Sequence, residues 1–115
     1  LTSLETPITI YNAIVEKEST IVPACGQVSD TITVAKRDLK AGEILDGIGG
    51  KSVFGKITSH AYQKRKNLLP IAMITKKTKL KVDVKKDELI TLDMVELDEN
   101  HIITKLRRKQ DKLGL

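Results

Sequence analysis

Side chains able to do chemistry are few in this chain of 115 residues, and they are scattered. Cys25, His60 and His101 supply one thiol and two imidazoles, the residue types of a nucleophile and its base. They fall in three separate segments, and no local signature of nucleophilic catalysis surrounds any of them. The trio also suits zinc poorly, because neither a CxxC nor an HxxxH spacing occurs. A loop cysteine and two surface histidines are the simpler reading. Asp93, Glu96, Asp98 and Glu99 are a run of carboxylates that could hold a divalent cation, but the ligand spacing and turn glycine of a calcium loop are missing. A solvated helix entry with Asp98 as its cap explains the run without an ion. Gly47, Gly49 and Gly50 invite a phosphate cradle. A dinucleotide fingerprint needs GxGxxG between a strand and a helix, whereas Gly47-Ile48-Gly49-Gly50-Lys51 has another spacing and leads into strand-like residues. It reads as a structural turn. Lys36 and Arg37, cations beside a turn, are the candidates for contact with an anionic substrate. Their plainer role is pairing with neighbouring carboxylates such as Asp38.

The formal net charge of +5 is unevenly spread. Residues 1–30 carry one basic and four acidic side chains, and residues 51–86 carry eleven basic and one acidic. A nucleic-acid groove would interleave aromatics with those cations, and only Phe54 and Tyr62 qualify, so no nucleic acid is expected. Lysines on strands and turns read as solvated edges that oppose aggregation, with an anionic small molecule or a partner as the functional alternative. A single cysteine excludes an intramolecular disulfide and fits a reducing compartment. No apolar run approaches the roughly 18 residues that span a bilayer. Nor does a basic leader precede an apolar block at the start. The expectation is a cytoplasmic protein without membrane contact. Leu1 in place of Met, followed at once by an amphipathic segment, reads as a piece of a longer protein.

The elements that must position these residues are organised by a repeated phrase. Lys36-Arg37-Asp38-Leu39-Lys40-Ala41-Gly42-Glu43-Ile44-Leu45 recurs as Lys81-Val82-Asp83-Val84-Lys85-Lys86-Asp87-Glu88-Leu89-Ile90. Lys, Asp, an aliphatic residue, Lys, Glu and two further aliphatics coincide, and Gly42 aligns with Asp87, both suited to a tight turn. Two copies are too few for a solenoid and predict two similar halves of one small β unit. Around them, Thr31 to Lys36 alternates as a strand, Glu43 to Leu45 returns as a short one, and Ser52 to Ile57 is a strand interrupted by Gly55. Thr58 or Ser59 caps a helix through Asn67, ended before Pro70. Ile71 to Ile74 is expected as a buried strand, Leu80 to Val84 as a half-buried one, and Leu89 to Thr91 as the second return strand.

At the start, Thr2 with Glu5 has capping-box spacing, and Thr6-Pro7 is a second helix start. Helical periodicity follows at Ile10, Tyr11, Ile14 and Val15, with a strand over Ile8 to Tyr11 as its rival. Asp98 caps a closing helix whose apolar face is Ile102, Ile103, Leu106 and Leu113. With Trp absent and only three aromatics, the core must rest on Ile, Leu and Val. The expected architecture is α+β, mainly β, with a helix at each end. Residues 1–29 form an N-terminal helix and linker, and 30–115 the domain proper.

At the two phrases the chain resembles the SAF family, the antifreeze-like β-clip domains, in which a strand ends in Lys-Arg-Asp-aliphatic-Lys-x-Gly-Glu. A longer series appears in order: Val34 to Glu43, Leu45 to Gly50, Asn67-Leu68-Leu69-Pro70-Ile71, Ile90-Thr91 with Val95-Glu96-Leu97, and Leu106 to Asp111. Together these resemble the C-terminal region of homoserine-dehydrogenase-like oxidoreductases, including the reductoisomerase-like enzymes that make methylerythritol phosphate. Asp87 stands where many SAF repeats have Gly, and Leu92 where a Tyr is common. The resemblance implies a pseudo-symmetric β-clip with no catalytic residue, metal or cofactor of its own. It also implies an N-terminal catalytic domain elsewhere that binds NAD(P). The job of residues 30–115 would be to close an anionic substrate's site or to hold subunits together, self-association included. The alternative is a free-standing SAF module that binds a sugar acid or another anionic carbohydrate.

Overall fold

The computed structural model describes residues 2–22 and 25–113. In chain order they form α1 (Thr2–Tyr11), a wide helical turn (Asn12–Glu16), β1 (Ser29–Ala35), β2 (Val53–Ser59) and α2 (His60–Arg65). A 3-10 turn (Ile71–Met73), β3 (Lys79–Leu80), a second 3-10 turn (Leu92–Met94), β4 (Val95–Glu96) and α3 (Ile102–Leu113) follow. The result is a small α+β fold with two antiparallel two-stranded sheets, β1-β2 and β3-β4.

The β-branched alternation of Thr31 to Val34 makes β1, which pairs with β2 from Ser29↔Ser59 to Ala35↔Val53. Gly55 does not interrupt β2. Single bridges extend the pairing beyond the named strands: Val34↔Leu89, Ile44↔Lys79, Leu39↔Val84, Ile32↔Pro70 and Leu68↔Thr91. The expected return strands at 43–45 and 89–91 are therefore reduced to bridge residues. Between the layers lies a core of Ala35, Leu39, Leu45, Val53, Leu69, Ile71, Met73, Leu80, Val84, Ile90 and Val95, aliphatic apart from one methionine. Burial of each larger member contributes about 1.5–3 kcal/mol.

Ile71 to Ile74 is not a strand. The edge of β1 is already occupied there: the Thr33 amide and hydroxyl both donate to the Leu69 carbonyl, and Pro70 bridges Ile32 without an N–H of its own. The chain instead closes a 3-10 turn in which Met73 N donates to Pro70 O and Ile74 N to Ile71 O. Ile71 and Met73 are still buried.

Ser59 is the cap of α2, accepting from Tyr62 N at 3.2 Å. The helix stops at Arg65, two residues before Asn67, which adopts left-handed backbone (φ 52°). Leu68 N donates to Gln63 O and Asn67 N to Lys64 O, the double bond of a Schellman ending with asparagine at the left-handed position.

The helix α1 starts earlier than its periodicity predicts. Its first described residue is Thr2, at the first of the two expected starts, and Pro7 is an internal residue. Helix prevails over the strand alternative at Ile8 to Tyr11. The wide turn ends at Lys17 in left-handed backbone (φ 59°). Every described residue from 2 to 22 is exposed apart from Asn12, so this segment is an arm. The molecule is correspondingly long, 53 × 31 × 26 Å, with a Cα radius of gyration of 17.4 Å. A compact chain of this length would have about 13 Å.

The helix α3 also departs from expectation. Ile102, Ile103, Leu106 and Leu113, its expected core face, are exposed, and Thr104 is the buried residue. Polar chemistry sets that orientation. Arg107, with 11% of its side chain exposed, donates to Asp30 Oδ2 at 2.5 Å, to Gln63 Oε1 at 3.3 Å and to Asp111 Oδ1 at 3.2 Å. Asp30 in turn accepts from Gln27 Nε2 and from the Thr31 amide, with His60 Nδ1 3.4 Å away. A guanidinium on a carboxylate with few exposed atoms thus fastens the last helix to the start of β1.

Candidate functional site

The two phrases meet and exchange bonds. Leu39 and Val84 pair through both amides, at 2.8 and 3.0 Å. The Asp38 carboxylate accepts from Lys86 N at 2.9 Å and from Lys85 Nζ at 3.3 Å. Its counterpart Asp83 accepts from Ala41 N at 2.9 Å and from Lys40 Nζ at 2.8 Å. Within each phrase the glutamate turns back on its own corner, Glu43 to Lys40 N and Glu88 to Lys85 N. Backbone bonds follow the same rule: Gly42 N to Leu80 O and Asp87 N to Ala35 O, Leu80 N to Glu43 O and Ala35 N to Glu88 O. Each corner therefore completes the other about a pseudo-dyad. These bonds hold the acids in their charged forms. The Lys86 amide and then the Lys85 ammonium lower Asp38, the Lys40 ammonium and then the Ala41 amide lower Asp83, and the Arg37 guanidinium lowers Glu43.

Lys36 and Arg37 sit at the start of the first corner. Lys36 Nζ donates to Gly50 O at 2.5 Å and so pins the glycine loop. Arg37 donates to the Asp38 carbonyl at 3.0 Å and pairs with the Glu43 carboxylate, with half of its side chain exposed. In the second phrase Lys36 is matched by Lys81, but Arg37 by Val82. The pseudo-dyad does not need the guanidinium.

The glycine loop is held from within by Asp46. Its carboxylate accepts from the Ser52 hydroxyl, from Lys51 N and from Ser52 N, and the hydroxyl foremost lowers its pKa to about 2. Gly47 and Gly49 have φ of 72° and 79°, and a Cβ on Gly50 would collide with the Asp46 carboxylate. The loop opens into β2 and not into a helix, and its cradle is filled by its own aspartate. It does not fit a dinucleotide pyrophosphate.

Asp46, Gly47 and Ile48 of this loop also line an open cleft of about 820 Å³. Ile44, Ile48, Ile71, Ala72 and Ile74 give it apolar walls, and Lys76, Lys77 and His101 stand among its polar lining. Lys77 is paired with Asp98 at 3.3 Å. Neither Lys36 nor Arg37 lines this cleft. Asp46 and Asp98 line it as well, so its two lysines face two carboxylates, and the arrangement can seat an apolar body without selecting a charge. Among the described lining residues no hydroxyl is hydrogen-bonded to a histidine or a carboxylate.

The other sequence candidates separate. Cys25 is exposed, His60 lies against Asp30, and His101 stands before α3, where its Nδ1 meets the Ile103 amide at 3.4 Å. Asp93 accepts from Asn67, Asp98 from Lys77, and Glu99 from Arg108. Among the described residues no group of three or more His, Cys, Asp and Glu could hold a metal ion. No described helix is long and apolar enough to cross a membrane. The Arg107–Asp30 cluster and the cleft were invisible in the sequence, because their members are brought together from distant segments. No protein-family model matches the chain, and no curated protein sequence does either.

Proposed function

We propose that residues 30–115 are a β-clip (SAF-like), non-catalytic domain of an NAD(P)-dependent oxidoreductase of the homoserine-dehydrogenase-like or reductoisomerase-like kind. It acts by closing the substrate site or by holding subunits together. The observation that carries the reading is the reciprocal pair of corners. Asp38, Lys40, Asp83 and Lys85 of the shared phrase are engaged in joining one half to the other, and that supports a structural unit over a reactive one. NAD(P) belongs to a partner domain in this reading, since the glycine loop here is filled by Asp46. Lys36 and Arg37 are the proposed contacts with an anionic substrate. Arg37 is favoured because it is half exposed and breaks the internal symmetry. The test is NAD(P)H turnover by the parent enzyme with and without residues 30–115. Loss of turnover on deletion, with none from the isolated chain, is expected. Turnover by the chain alone would refute the reading.

The cleft gives a second reading, a free-standing module for a sugar acid, through Lys76, which has no ion pair among the described residues. Calorimetry of the isolated chain with gluconate separates the two readings. Heat of binding supports the module, and its absence the accessory domain.

A further inference from the structure

Two helices of this chain leave apolar stripes in solvent, and the segments that carry them are oppositely charged. Along the arm, Leu4, Ile8 and Tyr11 recur at the spacing of one helix face, and Ile14 and Val15 continue it into the wide turn. Tyr11 is 54% exposed. Residues 2–18 hold Glu5, Glu16 and Glu18 against a single Lys17. On α3, Ile102, Leu106 and Leu113 form the matching stripe, with Leu106 54% exposed. This helix has five cations against one carboxylate. Arg107 and Arg108 are engaged by Asp30 and Glu99, while Lys105, Lys109 and Lys112 border the stripe with no ion pair among the described residues.

The stripes also match in length. Leu4 to Val15 and Ile102 to Leu113 each cover eleven steps of the chain, about 16 Å of helix. Beside the α3 stripe runs a groove of about 370 Å³ walled by Ala72, Met73, Ile103 and Leu106, a seat for an aliphatic or aromatic side chain. The arm has no buried residue and does not lie on its own α3.

We propose that the chain dimerises by exchanging arms, the acidic arm of each copy (residues 2–18) docking through its apolar face on the basic, apolar stripe of α3 in the other. One helix-on-helix contact is small for a specific interface. Exchange about a two-fold axis uses it twice, towards the roughly 1,200 Å² at which stable interfaces begin. Opposite charge selects arm-on-α3 pairing over arm-on-arm or α3-on-α3, which would set like charges together. The inference does not depend on the oxidoreductase reading, and its test uses no activity.

Sedimentation velocity of the 115-residue chain over a wide concentration range, at low and high salt, tests it. A dimer that weakens with salt is expected. Tyr11→Glu and Leu106→Glu, both at exposed positions, should each raise the dissociation constant about tenfold or more. Mixed together, the two variants should recover an intermediate affinity, because the mixed dimer keeps one intact arm contact and neither variant alone keeps any. Lys109→Glu gives an independent check at a surface residue if Leu106→Glu unfolds. A chain that stays monomeric throughout overturns the proposal. So does a dimer indifferent to these substitutions, or a variant mixture no tighter than its components.

Discussion

At the two corners one backbone position is filled by different residues. Gly42 and Asp87 both adopt left-handed φ, 88° and 65°, and donate equivalent amides to Leu80 and Ala35. A side chain there works against its own carbonyl by about 1–2 kcal/mol, a cost aspartate partly escapes by local hydrogen bonding. A Cβ on Gly42 would meet nothing closer than Lys79 Cε at 3.7 Å, so the effect of a substitution is the backbone's alone. Gly42→Ala is therefore expected to destabilise by about 1–2 kcal/mol in urea unfolding. Asp87→Gly, relieving the same conformation, should be neutral or stabilising. This equivalence was legible in the sequence because the repeat aligns the two positions. What Lys36 and Arg37 bind was not, since the Gly50 carbonyl and the Glu43 carboxylate are reached only once the corner is built.

The helix α3 shows what a one-dimensional pattern omits. Its apolar spacing is that of an amphipathic helix, but the side that docks is Thr104, Arg107 and Asp111. Asp30 lies 77 residues away, and nothing local announces that its carboxylate will be waiting under the helix. The short apolar run at Ile71 to Ile74 failed for a related reason, because burial alone does not separate a strand from a tight turn. Arg107→Ala should leave Asp30 with few exposed atoms and no guanidinium, at a cost of about 3 kcal/mol by urea unfolding. Amide exchange along α3 should accelerate more than in β1 or β2, because the helix loses its main tie to the body.

Over the whole molecule the carboxylates of the corners and of the glycine loop set the response to acid. Asp38, Glu43, Asp46 and Asp83 all lie below their ordinary values, Asp46 at about 2. The unfolded chain therefore binds more protons than the folded one through that range, so stability rises with pH there. As far as these acids go, it should be level above about pH 5 and decline from about pH 4 towards pH 2 as they are protonated. The urea midpoint followed against pH measures this, and Asp46→Asn should flatten the lower part of the curve.

The duplication, the helix at each end and the aliphatic core could all be read from the sequence. The projection of the arm could not, because an apolar stripe looks the same whether or not something covers it. The crossed corners carry one more consequence. Exposed turns ordinarily accept extra residues freely. Here each bend holds a carboxylate belonging to the opposite bend, so lengthening either one would pull away a bond that closes the other. Residues inserted at one bend should therefore destabilise both halves, whereas added length in the glycine loop removes none of the bonds between the bends.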